Sequence, residues 1–252
     1  MSLIDDFVTL SHAVGEPTLD AAILGEGNTS VKGENDTFYV KASGCSLGTL
    51  GSQHAVHLKR APIMALLDQP AVDEAALQAA YKAAKVDQNS PFRPSVEAVF
   101  HALLLGYPGV GAVAHVHPTA VNGLTCSRSW PLSLAGRLCP DEAVVLGPDS
   151  VFIDYVDPGA ELGKRIRAGV DAYRAVWGLV PKVIYMQNHG VIAVGNNVGD
   201  AINIVHMAIK AARMRLMAMQ AGGMNPLPKE VISHLLGRPD EKYRQQLLAG
   251  KG

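Results

Sequence analysis

The stretch Val110-Gly111-Ala112-Val113-Ala114-His115-Val116-His117-Pro118 decides how this chain is read. Its small and β-branched residues predict a buried strand. Alternate side chains of a strand share a face, so His115 and His117 become neighbours at its end. Lys182-Val183-Ile184-Tyr185-Met186 predicts a second strand, and Asn188-His189-Gly190 the turn leaving it toward Val191-Ile192-Ala193-Val194. His189 can therefore bring a third imidazole to the pair. A lone histidine is more often an ordinary hydrogen-bonding side chain. A His-x-His that closes an apolar strand, with a further histidine beside a glycine turn, favours a divalent metal. Three neutral imidazoles with one position open form a catalytic arrangement, whereas structural zinc is usually closed by four protein ligands, often thiolates. Glu97, on an expected helix upstream, places a carboxylate beside the set.

Outward from this stretch, Leu3, Ile4, Phe7, Val8 and Leu10 fit an amphipathic opening helix that ends near Gly15-Glu16-Pro17. Residues 25–32 and Thr37-Phe38-Tyr39-Val40-Lys41 read as a hairpin across the polar turn Gly33-Glu34-Asn35-Asp36, followed by a glycine-rich loop, residues 42–48. Residues 58–86 are Ala- and Leu-rich and predict one or two helices broken near Gln69-Pro70. Pro94-Ser95 opens the next helix, with Ser95 as its cap, and runs through Glu97 and His101 on one face to Gly106-Tyr107-Pro108. Further helices are predicted from Asp157-Pro158-Gly159 to about Trp177 and from Gly199-Asp200 to about Met219, with Met207, Met214, Met217 and Met219 of the latter expected to serve core packing rather than a partner-binding surface. Past Gly222-Gly223 the tail reads as a short helix closing over a site or as a partly mobile end.

Composition narrows the class. At 252 residues, 48% hydrophobic and 18% charged, the chain suits one α/β enzyme domain. A formal net charge of -1 and the lack of any Lys/Arg run give no attraction for nucleic acid or an anionic membrane, so neither partner is expected. The cysteines, Cys45, Cys126 and Cys139, form no CxxC, which argues against a disulfide framework and for a reducing cytoplasm. The opening Met1-Ser2-Leu3-Ile4-Asp5-Asp6 has no basic segment before an apolar core, so no secretory leader is expected. Every apolar stretch is shorter than the ~20 residues a membrane span requires.

In order, Gly27-Asn28-Thr29-Ser30, Ser43-Gly44, Pro94-Ser95-Val96-Glu97 with His101, His115-Val116-His117 and Asn188-His189-Gly190 resemble the class II aldolase/adducin-like family over roughly residues 3–220. The resemblance implies a single domain over residues 1–252, with its tail from about residue 222. It also implies a three-layer α/β/α fold, a central mostly antiparallel sheet covered by helices on both faces, assembled as a homotetramer. It implies Zn2+ on His115, His117 and His189, although Co2+, Ni2+, Mn2+ or Fe2+ suits the same imidazoles. Glu97 becomes the acid/base carboxylate. Asn28, Ser43, Gly44 and Ser95 become the grip on a substrate phosphate, through small residues with exposed backbone N–H groups. The implied reaction is cleavage of a small ketose phosphate to dihydroxyacetone phosphate and an aldehyde through a metal-stabilised enediolate.

The family's fuculose-phosphate aldolases carry two serines before the acid, where this chain has Ser95-Val96. Their tyrosine after the metal pair has no counterpart between Thr119 and Pro140. The pieces around Asn28 and Ser43 look closer to the aldolase half of bifunctional rhamnulose-phosphate aldolase/dehydrogenases. Lys41 is expected to be a solvated strand-end lysine, with an anion contact as its alternative role. His101 is expected to pack beneath the site, with support of Glu97 or the metal as the lesser reading. Epimerisation or dehydration of a pentulose phosphate shares the same intermediate and is the enzymatic alternative. A non-catalytic module like the adducin head has no need of the metal ligands, and a structural metal site would need a fourth protein ligand.

Overall fold

The computed structural model describes residues 2–240 and Tyr243; the end of the expected tail, residues 241–242 and 244–252, lies outside the described residues. Helix α1, Leu3–Val14, starts from a reciprocal Ser2–Asp5 capping box and stops at Gly15. Strands β1, Asn28–Lys32, and β2, Thr37–Lys41, form the expected hairpin with Val31 opposite Tyr39. Its turn places Asn35 and Asp36 in left-handed conformation, which their short polar side chains tolerate.

β3, Ala55–Lys59, pairs antiparallel with β2 at the sheet edge, where the sequence had suggested helix from residue 58. Its alternation of buried Val56 and Leu58 with His57 and Lys59 spans too few residues to stand out from the Ala-rich segment behind it. That segment does form helix, as α2, Ala61–Met64, extended by a short 3₁₀ turn, and, after the break at Gln69-Pro70, α3, Glu74–Ala84. α4 covers Ala98–Leu104 and thus begins three residues after Ser95. Ser95 instead accepts the Glu97 N–H at 3.3 Å, so Ser95, Val96 and Glu97 make a tight turn that leads into the helix rather than its first turn. There follow β4, Ala112–Val116; α5, Thr119–Thr125; α6, Pro140–Leu146; β5, Val151–Ile153; α7, Ala160–Trp177; β6, Val183–Met186; β7, Gly190–Gly195; α8, Val198–Gln220; and α9, Lys229–Gly237.

The strands make one sheet in the order β3-β2-β1-β4-β7-β6-β5, antiparallel throughout except for the β5–β6 pair. Two apolar cores lie on its two faces. On one, Phe38, Val113, Ile184 and Ile192 meet the buried faces of α3, α4 and α7. On the other, Val31, Ala114, Val191 and Ala193 meet those of α1, α5 and α8. The result is the three-layer α/β/α arrangement. In register, His115 stands between Asn28 of β1 and Ile192 of β7. With the period of 2, Asn28, Ser30 and His115 all face the α4 layer. α9 packs against α6, burying Ile232 and Leu235, and Leu236 lines a cavity with Lys182 and Asn196. That is the sheet end opposite His189, so α9 does not cover the histidines. Among the described residues no helix is long and apolar enough to cross a membrane.

Candidate metal centre

Three imidazoles converge where β4 ends and the β6–β7 turn begins. Ligand atoms of His115, His117 and His189 lie within 4.8 Å of one another. His115 is fully buried, and its Nδ1 donates to the Val191 carbonyl at 3.0 Å, which leaves the Nε2 lone pair facing the cluster. His117 Nε2 is 2.9 Å from that atom. The turn that delivers His189 is tied down by the Asn122 amide, which donates to the His189 carbonyl at 3.1 Å, and by left-handed Asn188. Gly190 is required by close packing, because a Cβ there would lie 2.6 Å from the Val116 carbonyl and 2.8 Å from the His117 ring.

Glu97 spans the cluster. Its Oε2 lies 3.4 Å from His115 Nε2 and its Oε1 3.4 Å from His189 Nε2. The carboxylate is only 6% exposed, and Oε1 has no hydrogen-bond partner among the described residues. A buried carboxylate oxygen left open beside the His189 imidazole nitrogen is costly unless a cation completes it. Burial, reinforced by the neighbouring histidines, pushes the pKa values of His115 and His117 down to about 3. Both are therefore neutral near pH 7, the form in which imidazole binds a metal. The residues present fit a divalent ion.

Behind Glu97 runs a chain of buried polar groups. The Asn28 amide donates to Glu97 Oε2 at 2.7 Å and to the Ser95 hydroxyl at 3.0 Å. Asn28 Oδ1 accepts from His101 Nε2, and His101 Nδ1 is 2.6 Å from the Ser30 hydroxyl. Burial, with His115 nearby, holds His101 well below the usual histidine range, so it is neutral and Ser30 donates to it. Of the expected phosphate residues, Asn28 and Ser95 are thus brought onto Glu97, with the Asn28 carboxamide fully used there. Ser43 and Gly44 are exposed on the adjoining loop, and the Ser43 N–H is taken by the Arg93 carbonyl at 2.8 Å. Lys41 is buried rather than solvated. It donates to the Gly25 carbonyl at 3.0 Å and to the Cys45 carbonyl, joining the two glycine loops, and burial pushes its pKa down.

Sequence reasoning gives no role to Ser30, although it stands in the quoted motif with Asn28, or to Glu26, which directly precedes that motif, and finds no signal for Asn122. Beside the histidines opens a cleft of about 420 Å³, with His117 in its wall and Asp20, Ile23, Glu26, Asn122 and Cys126 around it. Among the described residues lining it there is no tyrosine, in keeping with the gap noted after Thr119.

Residues 6–216 match the family described as Class II Aldolase and Adducin N-terminal domain. Among characterised relatives, a 4-hydroxy-3-prenylphenylpyruvate oxygenase/4-hydroxy-3-prenylbenzoate synthase of Streptomyces roseochromogenus is 28% identical over 145 residues, 52% of this chain and 46% of that protein. Human gamma-adducin is 27% identical over 48% of this chain and 16% of its own length. The chain thus matches less than half the length of either relative. Among solved structures, the N-terminal class II aldolase domain of a conserved Thermoplasma acidophilum protein shares 27% identity at a TM-score of 0.67, over 85% of this chain and 94% of that one. An L-fuculose 1-phosphate aldolase superposes with a TM-score of 0.69 at 18% identity, over 96% of each chain. YgbL of Escherichia coli, provisionally assigned as an aldolase/epimerase/decarboxylase, does so at 0.67 and 18%, over 93% of this chain and 97% of that one. The chain belongs to the class II aldolase/adducin family.

Proposed function

We propose that this protein is a divalent-metal-dependent lyase that cleaves a small ketose phosphate to dihydroxyacetone phosphate and an aldehyde. The observation that carries this reading is Glu97, a buried carboxylate set between His115 and His189 with one oxygen unpartnered. His115, His117 and His189 would hold the ion, with zinc the first choice for three imidazoles. When bound, the ion supplies positive charge that polarises a carbonyl and stabilises the oxyanion left as the adjacent carbon–carbon bond breaks.

The chain's own residues do the rest. Glu97 moves the proton at the reacting carbon, and its placement within reach of the histidine cluster is what general acid–base catalysis requires. Asn28 fixes Oε2 and so aims Oε1 toward the reacting centre, while His101 and Ser30 fix Asn28. Ser43 and Gly44, exposed on the adjoining loop, receive the phosphate. The reading extends to one domain, a homotetramer and a cytoplasmic location.

The lack of a tyrosine among the described residues lining the cleft favours a second reading, epimerisation or dehydration on the same site; in a dehydration Glu97 can both take the proton at carbon and return it to the hydroxyl that departs as water. The test is triose-phosphate release from a panel of ketose 1-phosphates, with and without a chelator. Chelator-sensitive release is expected; metal-loaded protein that epimerises or dehydrates a pentulose phosphate without releasing triose phosphate would establish the second reading instead.

A further inference from the structure

Helix α5 is tied to two of the three histidines, one at each end. It starts after Pro118, which directly follows His117, and its first turn closes with the Asn122 N–H donating to the Pro118 carbonyl at 2.8 Å. The His117 N–H is taken by the Ala21 carbonyl at 2.8 Å and the Thr119 N–H by the Asp20 carbonyl at 3.1 Å. Val121 and Leu124 are buried in the core beneath, which fixes the helix against the sheet. At the far end the Thr125 carbonyl accepts the Asn188 N–H at 3.3 Å, and the Asn122 side-chain amide donates to the His189 carbonyl at 3.1 Å. From the other side of the same turn, the Gln187 N–H donates to the Ile153 carbonyl at 2.9 Å, and Gln187 Oε1 accepts the Tyr155 N–H at 3.1 Å. Gln187, Asn188 and His189 thus each have a tie, and the one at the histidine comes from a side chain.

For packing alone, that side chain is a poor choice. Asn122 Oδ1 is buried and has no hydrogen-bond partner among the described residues, which destabilises the fold relative to an apolar residue of similar size. What the carboxamide contributes in exchange is its bond to the backbone of a candidate metal ligand. A backbone shift at His189 carries the imidazole with it, and a site of this kind works only while its groups stay within about 0.5 Å of the productive geometry. We infer that Asn122 is a positioning residue of the three-histidine centre: acting through the His189 backbone, it sets the separation of the His189 and His117 imidazoles, with α5 as the rigid spacer. The inference rests on the metal reading above and adds to it a residue outside the ligand set. Without the amide, the His189 carbonyl has to find water, and the turn moves to reach it.

The test needs no turnover. Co2+ is the probe, because it suits the same imidazoles and its visible absorption bands report the number and arrangement of its ligands. Asn122→Leu and Asn122→Ala should each bind Co2+ at least about tenfold more weakly than wild type, with weakened or shifted bands. Metal-free Asn122→Leu should melt no more than about 2 °C below wild type, since it also removes the unpaired Oδ1. Asn122→Ala, which cannot overpack, keeps the test open where the larger leucine disturbs the helix. Val121→Ala, which removes packing from the same helix, should do the reverse, lowering the melting temperature with Co2+ affinity and bands unchanged. Wild-type Co2+ affinity and bands in both Asn122 variants, at whatever melting temperature, overturn the inference and leave Asn122 a structural residue. Wild type that takes up no Co2+ overturns the metal reading and the inference together, so the two failures are told apart by wild type alone.

Discussion

Replacing Glu142 by Gln should unfold the protein at a much lower temperature without touching the candidate metal centre. Glu142 on α6 is buried against Arg137 and against Arg215 of α8, all at 1% exposure or less. Its Oε1 lies 2.8 Å from Arg215 and 3.9 Å from Arg137, and its Oε2 accepts the Leu138 N–H at 2.8 Å. The guanidinium of Arg137 donates to the Gly147, Gly136 and Leu146 carbonyls and to Ser150, and that of Arg215 to the Leu134 and Gly136 carbonyls. Glu142→Gln keeps the shape and an oxygen for Leu138 but removes the negative charge that faces both buried guanidiniums, while Asp149 stays near Arg137. Breaking a buried pair in this way costs about 3–5 kcal/mol. At about 2–4 °C per kcal/mol for a chain of this size, Tm should fall by about 6–20 °C in calorimetry at matched concentration. Replacing both Glu142 and Arg215 by Leu and Met should recover part of that loss, since fewer charges are then held out of water. A Glu142→Gln variant melting within about 2 °C of wild type would refute the reasoning.

Two further substitutions test how the site is braced. Gly190→Ala should lower divalent-metal affinity at least about tenfold by isothermal titration, because its Cβ would be forced against the His117 ring and the Val116 carbonyl. Lys41→Met should lower stability by about 1–3 kcal/mol in urea titrations, since the Gly25 and Cys45 carbonyls lose a buried donor. Glu97→Gln should keep bound metal and lose turnover by at least about 10²-fold, checked by metal analysis beside a steady-state assay.

The histidines were legible because each is marked locally, two by the period of an apolar strand and one by a glycine turn. The long helices α7 and α8 were legible for the same reason, having many turns over which a pattern repeats. What pairs across the chain was not. Asn28 reaches Glu97 and His101 only because β1 lies beside β4 with Asn28 opposite His115, and alternation within a strand says nothing about its neighbour. Lys41 was misplaced because a strand-end lysine is ordinarily solvated; the carbonyls that bury it come from two loops whose meeting no local pattern announces. The helix start at Ser95 was misplaced because a serine that caps a helix and one that closes a turn look alike in sequence, and here Tyr81 ties the turn down by donating to the Val96 carbonyl at 2.6 Å. The short elements α5, α6, β3 and β5 carry too few residues for periodicity to register.

The most direct test of the account is the metal content of the purified protein and of His115→Ala, His117→Ala and His189→Ala. About one divalent ion per chain in wild type, with each variant binding far more weakly while remaining folded, is the predicted result. A wild-type protein that takes up no divalent ion, or a His189→Ala variant that retains a full equivalent with unchanged affinity, would contradict the three-histidine centre.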